Sequence, residues 1–331
     1  MFQVASRPTA PHLASTPEPL MLSQSHYHHH HGQRQAPALQ LPRRLARPRF
    51  EEASRDAIVA IEPDLADVPM EYIRKHLAGQ ANGMITALNL LNIPSSLPSA
   101  RLPRMIDVPV RPSSNTPASD AFPTHILAIS SSRAPSVPST PTQMSYFQQI
   151  MGITAPDPSP TTAPLFAAHA LVLATHCTLL PPLKPARPSV RGSTLPLPVI
   201  PLTVPSAETF HLLHAYLHTL RADQLLRSLL PSLATALPSQ GAGSSSAPTY
   251  TAQFSQDRLV RLAQALAQSA AQQVGSGGAL PGLMMHTRVV NGLWRNACAL
   301  GVFDAELWGV MDIAWEVVLM ALNQAVERER S

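Results

Sequence analysis

The chain has 331 residues, 45% apolar, 13% charged and 5% aromatic, with 35 prolines and a net charge of +4. The apolar share can build a core. The low charge and roughly doubled proline content exclude a uniformly globular chain and point to an Ala/Leu-rich folded part interrupted by Pro/Ser-rich segments that cannot offset their ordering entropy. Lys75 and Lys184 are the only lysines, so the positive charge is an arginine bias rather than a nucleic-acid footprint, and two cysteines exclude a disulfide framework.

In chain order, residues 1–62 are rich in Pro, His and Arg and read as disordered. Residues 63–93 form a helical segment: Ile73, Leu77, Met84, Leu88 and Leu91 share one face, although Gly79 and Gly83 weaken its middle and leave two short helices as an alternative. Residues 94–118 read as a linker. A central core follows at 119–236, with Pro-rich inserts at 131–164 and 181–196 and a short helix at 145–151 inside the first.

Within that core, residues 122–130 (FPTHILAIS) read as a strand and 165–169 as a strand running into a helix over 170–180. Residues 197–204 read as a strand whose internal prolines place it at an edge or a bulge. Ser206 is the N-cap of a helix to Leu220, with Phe210, Leu213 and Leu217 as its apolar stripe, and a second helical stretch over 222–237 splits at Pro231. Residues 237–256 read as a second linker and 257–328 as C-terminal helices. The last of these starts at Asp304 and aligns Trp308, Met311, Trp315, Val318 and Leu322. The fold class is therefore α+β, a small sheet with surrounding helices, additional C-terminal helices and long disordered segments.

The chemistry carried by sequence motifs is sparse. Neither lysine ends a Gly-rich phosphate loop, and no dinucleotide fingerprint, nucleophile elbow or H-E-x-x-H pair is present. Glu306, Asp312 and Glu316 read as a solvated helix face. The tract His28–His31 reads as low complexity, and His211, His214 and His218 read as structural or solvent-facing because no carboxylate or cysteine completes a tetrahedral site. Cys177, beside His176, reads as a small core residue. Arg43, Arg44, Arg47 and Arg49 (PRRLARPR) form the one basic cluster: a nuclear-import signal, a loose phosphate contact or a solvated tract. No metal or cofactor is expected, and sequence-specific nucleic-acid binding is not supported. The longest apolar stretch, 163–180, is interrupted by His169 and His176 and reads as buried strand and helix rather than a membrane span. With no apolar core at the N-terminus, no secretory signal is expected.

Two segments resemble the BTB/POZ domain, an α+β interaction fold. In residues 168–174 (AHALVLA) the Ala-His, Val-Leu and Ala match that family's strand-to-helix segment, and Phe210, Leu213, Tyr216, Leu217 and Thr219 match its later helix. His214 stands for a usual leucine, His218 for a usual tyrosine, and Ala170 for a frequent basic residue. Over nearly its whole length the chain resembles a narrower group, the clampless-one-like proteins of mushroom-forming and related fungi. The resemblance is carried by residues 67–74 (DVPMEYIR), 168–177 with Pro181–Pro182, 201–216 and 301–308.

This resemblance implies a non-enzymatic regulator of sexual development that acts downstream of mating-type genes in the formation of clamp cells. Val172, Leu173, Phe210, Leu213, Leu217, Trp308 and Trp315 are the expected core or interaction residues, each large side chain worth about 1.5–3 kcal/mol on burial. The expected partners are proteins, including a second copy of the chain, with no small-molecule substrate and no membrane, and the expected location is the nucleus. The BTB/POZ resemblance also implies an alternative role, substrate adaptor of a cullin-type ubiquitin ligase. An enzyme built on the His211/His214/His218 face is the weakest reading.

Overall fold

The computed structural model describes residues 2–3, 41–113, 121–132, 162–187, 189–240, 249–273 and 279–330. The fold is α+β, a small sheet with surrounding helices and a helical C-terminal layer. The short helix expected over 145–151 and the tract His28–His31 lie outside the described residues.

Among the described residues six strands form the sheet: β1 (Phe2–Gln3), β2 (Ser96–Pro98), β3 (Met105–Pro109), β4 (His125–Ser131), β5 (Thr162–Ala168) and β6 (Thr194–Val204). The hairpin partners β4 and β5 run antiparallel, with His125 opposite Ala168, while β6 returns parallel to β4, with Ile126 opposite Val199. The central strand β4 alternates between two cores. Ile126 and Ala128 enter a cluster with Ala87, Leu91, Val108 and Leu197; Leu127 and Ile129 enter the larger helical cluster. Both faces of β4 are therefore covered, and all four of these side chains are buried.

Two expectations change here. The stretch read as a linker over 94–118 contains β2 and β3, which pair antiparallel with β5 and with the first half of β6. Prolines at 98, 103 and 109 hid them, because proline argues against a strand in any pattern read locally. β6 is longer than expected, and its prolines take the edge positions expected of them. Its residues 194–198 face β3, 199–204 face β4, and 202–203 also face β1. Pro196, Pro198 and Pro201 all fall where the strand has one neighbour only, so each missing N–H costs little.

The helices are α1 (Arg55–Ile61), α2 (Met70–Leu90), α3 (Ala170–His176), α4 (Ala207–Thr219), α5 (Ala222–Leu229), α6 (Gln256–Gln273), α7 (Leu280–Leu300) and α8 (Ala305–Arg330). α2 is one helix, not two. Its buried face of Met70, Ile73, Leu77, Ala81, Met84 and Ala87 outweighs the propensity cost of Gly79 and Gly83. α3 stops at His176 rather than reaching residue 180. From there the chain leaves to bond the end of α7: Thr178 and Leu179 donate their N–H groups to Gly301 and Leu300. α7 itself ends at Gly301, whose φ of 66° and N–H to Ala297 and Cys298 make a left-handed cap. The split expected at Pro231 is present, with a 3-10 turn at Pro231–Leu233 after α5.

Ser206 caps α4 as expected by position, but not with its own side chain. The Ala207 N–H is taken by Ser131 Oγ at 3.0 Å, and Asn296 on α7 brackets Ser206, accepting from its N–H at 2.9 Å and donating to its carbonyl at 2.7 Å. The helix start is thus secured by a strand and by a C-terminal helix. One hydrophobic cluster runs from Ile58 and Ile73 through Phe210 to Trp315 and Leu322, so the sheet-bearing part and the C-terminal helices share a single core.

Order begins earlier than expected. Residues 41–50 run without regular structure along the C-terminal helices, Leu45 and Ala53 are buried, and α1 follows at Arg55.

Candidate interaction groove

The seven residues expected as core or interaction set are all interior: Val172, Leu173, Phe210, Leu213, Leu217, Trp308 and Trp315 are each at most 3% exposed. Val172, Leu173, Phe210, Leu213 and Leu217 pack inside the core, whereas Trp308 and Trp315 are covered in part by residues 42–47. What the sequence separated, and the structure joins, is the arginine segment and the last two helices.

On α8, Trp308, Asp312 and Trp315 are spaced i, i+4 and i+7, which puts them on one side of the helix. Trp294 projects from α7. The segment 41–50 lies against these residues. Trp294 Nε1 donates to the Ala46 carbonyl at 2.7 Å, and Trp315 Nε1 donates to the Pro42 carbonyl at 2.9 Å. Between these two anchors the Leu45 side chain is buried in the common core. The Arg47 guanidinium pairs with Asp312 and sits over the Trp308 ring, 5.7 Å from its centroid. Trp308 spends its own indole N–H on the Val302 carbonyl at 2.9 Å, which fixes the ring that Arg47 covers. One residue beyond the cluster, Phe50 packs edge-on against Phe303 with centroids 5.3 Å apart.

The basic cluster is therefore not a free tail. Arg43, Arg44 and Arg49 are exposed, while Arg47 is engaged. Trp294, Asp312 and Leu45 were missed as a set. A lone leucine inside an arginine run and a single half-buried tryptophan carry no periodic signal, and Asp312 read as part of a solvated face.

Beside the groove, Glu51, Arg74, His176, Thr178, Phe303 and Asp304 line a small open cleft of about 40 Å³. Its members serve structure. Arg74 donates Nε and Nη2 to the Thr175 carbonyl at 3.1 and 3.0 Å, closing the end of α3. Asp304 Oδ1 accepts from the Leu307 N–H at 2.8 Å, the expected cap of α8, and from the Tyr216 hydroxyl at 2.5 Å. Burial, with the adjacent Asp304 charge, pushes the Tyr216 phenol up, so it stays a donor.

The histidines sort differently from the helix-face trio. His211 is exposed, and its Nδ1 donates to the Glu208 carbonyl at 2.7 Å. His214 and His218 join His169 instead, with ring centroids 4.4 Å (214–218) and 5.2 Å (169–218) apart. Each commits one N–H to a main-chain carbonyl: His169 to Ala121 at 2.9 Å, His214 to Ala167 at 2.8 Å, His218 to His214 at 2.8 Å. Burial and the neighbouring His218 push His169 down to about 4 and His214 to about 3, so the cluster is neutral and bolts α4 to β5. Among the described residues no group of three His, Cys, Asp or Glu side chains is placed to hold a metal ion. Cys177 is buried, and burial pushes its thiol up to about 12, which fits an inert core residue.

A further polar centre, not foreseen from sequence, closes α5. Asp223 has no exposure and accepts from Arg221 at 2.8 and 2.9 Å and from Arg227 at 3.0 Å. Arg227 reaches on to the Pro238 carbonyl and Ser239.

Taken together, the features define an α+β protein whose C-terminal helices hold an extended segment in an aromatic and acidic groove. Among the described residues no helix is long and apolar enough to cross a membrane. The chain belongs to the clampless protein 1 family. The model of that family's N-terminal domain matches residues 48–151 and 137–205, and the model of its C-terminal domain matches residues 223–331. This makes it a fungal protein related to clamp formation. No curated protein and no solved structure matches the chain.

Proposed function

We propose that this chain is a non-enzymatic protein-interaction regulator of fungal sexual development, acting in the nucleus and downstream of mating-type genes in clamp-cell formation. Family membership supports the clamp-related part. The observation that carries the interaction part is the groove. Indole donors aimed at main-chain carbonyls, a buried leucine and an Asp/Trp arginine site are the means by which folded domains grip extended peptides. A BTB/POZ-like reading of the core belongs to the same proposal and draws support from the order of the elements: hairpin β4–β5, helix α3, strand β6, then α4 and α5. The nuclear location rests on the exposed Arg43, Arg44 and Arg49.

The test is deletion of the gene in both partners of a clamp-forming dikaryon. The account expects hyphae without clamp cells, restored by a fluorescently tagged full-length copy that concentrates in nuclei. A deletion dikaryon with normal clamps would refute the reading.

A further inference from the structure

We infer that the groove between α7 and α8 is a recognition site for an extended segment of a partner protein that carries an aliphatic residue followed two positions later by arginine, and that residues 42–47 are its resident, displaceable occupant. The inference deepens the interaction reading by naming the partner's chemistry.

Three observations carry it. First, the grip on the strap is of two kinds. The Trp294 and Trp315 N–H groups hold main-chain carbonyls four residues apart, a contact open to any extended chain, whereas the Leu45 pocket and the Asp312/Trp308 site select side chains. The groove thus specifies an aliphatic residue followed two positions later by arginine, with no restriction on the exposed residues 43 and 44.

Second, no helix or strand ladder holds the strap, which hangs on Leu45, two indole donors and one ion pair. Residues 45–54 belong to no strand or helix, and the Arg47–Asp312 pair is 51% and 42% exposed, where ion pairs contribute little.

Third, the helices that build the groove lie inside the family match at 223–331, whereas residues 42–47 precede the matched segments, which begin at 48. The receptor surface belongs to the family domain and the occupant does not.

Because the strap is tethered, it competes at an effective concentration on the order of millimolar. A partner segment therefore binds fully only when it is tighter than the strap or is itself presented next to the groove. Regulation follows from whatever loosens the strap.

The experiment is fluorescence-anisotropy titration of the full chain with a labelled peptide of residues 41–50 (LPRRLARPRF) and with a scrambled peptide of the same composition. A full-chain variant carrying L45D and R47A, its strap released, should bind the ordered peptide at least roughly tenfold more tightly than wild type, whose own strap competes. Adding D312R should remove most of that gain. R47A alone, a change at a half-exposed side chain, serves if the double variant loses its circular-dichroism spectrum; it should bind more tightly than wild type. Folded released-strap protein that fails to bind, or that binds the scrambled peptide equally well, overturns the inference. The clamp phenotype of the deletion is a separate readout, so this result and the proposed function can fail independently.

Discussion

Each of the three tryptophans spends its indole N–H on a main-chain carbonyl, and two of those carbonyls belong to the arginine segment. An aromatic ring buried with its donor satisfied contributes area without an unpaired polar group, and here it also fixes the path of residues 42–47. The buried histidines work in the same way. Their pKa values fall because burial disfavours the charged form: His176 and His169 to about 4, His214 to about 3, against an ordinary value of 6.5. In the unfolded chain these groups take up protons near 6.5, while the native state does so only near 3–4. Between those values the unfolded state binds more protons, so stability should be full above pH 6.5 and fall steadily toward pH 4. Urea midpoints across that range check this, with H214Q as the control. The glutamine amide can keep the bond to Ala167 without a titrating ring, so its pH dependence should be shallower; a midpoint flat from pH 6.5 to 4 contradicts the assignment. The core residues were legible at this scale because Phe210, Leu213 and Leu217 repeat at helical spacing. Leu45 and Trp294 were not, since their partners lie about 250 residues away in sequence.

Among the elements, three glycines separate propensity from packing. Gly79 sits on the exposed side of α2 with nothing within 4 Å of an added Cβ, so G79A should stabilise by about 0.5–1 kcal/mol. Gly292 lets α7 approach the start of α4, where a Cβ would lie 2.8 Å from Thr209, so G292A should cost about 1–3 kcal/mol by overpacking. Gly301 adds a φ of 66° to a clash 2.1 Å from Thr178 Oγ1, and G301A should be the worst of the three. Guanidinium unfolding of the three variants tests the ranking; equal effects would mean these approaches are not tight. Helix ends at Gly301 and Asp304 were readable because caps are local signals. Strands β2 and β3 were not, because their prolines are tolerated only through a pairing with β5 and β6 that no local pattern announces.

At the scale of the whole molecule, the two family segments meet in one core. α4 lies between them in sequence and packs on both α2 and α7, so neither segment closes its apolar surface alone. The strap adds a third level, a piece of chain from before the family match that seals the outer side of the C-terminal helices. The α+β class and the order of its central elements could be read from residues 119–236, whereas the use of residues 41–50 could not. Composition marked that segment as solvated, and only the tertiary positions of Trp294, Trp315 and Asp312 make it a ligand.

The docked strap is the claim on which the functional account turns, and its most direct test is tryptic cleavage of the Arg44–Leu45 bond. Leu45 is buried in the native chain, so the bond opens to protease only when the strap leaves its groove. The account predicts that native full-length protein is cut there at least roughly tenfold more slowly than a free peptide of residues 41–50 under the same conditions. Equal rates would contradict it and return the arginine segment to the status of a free tail.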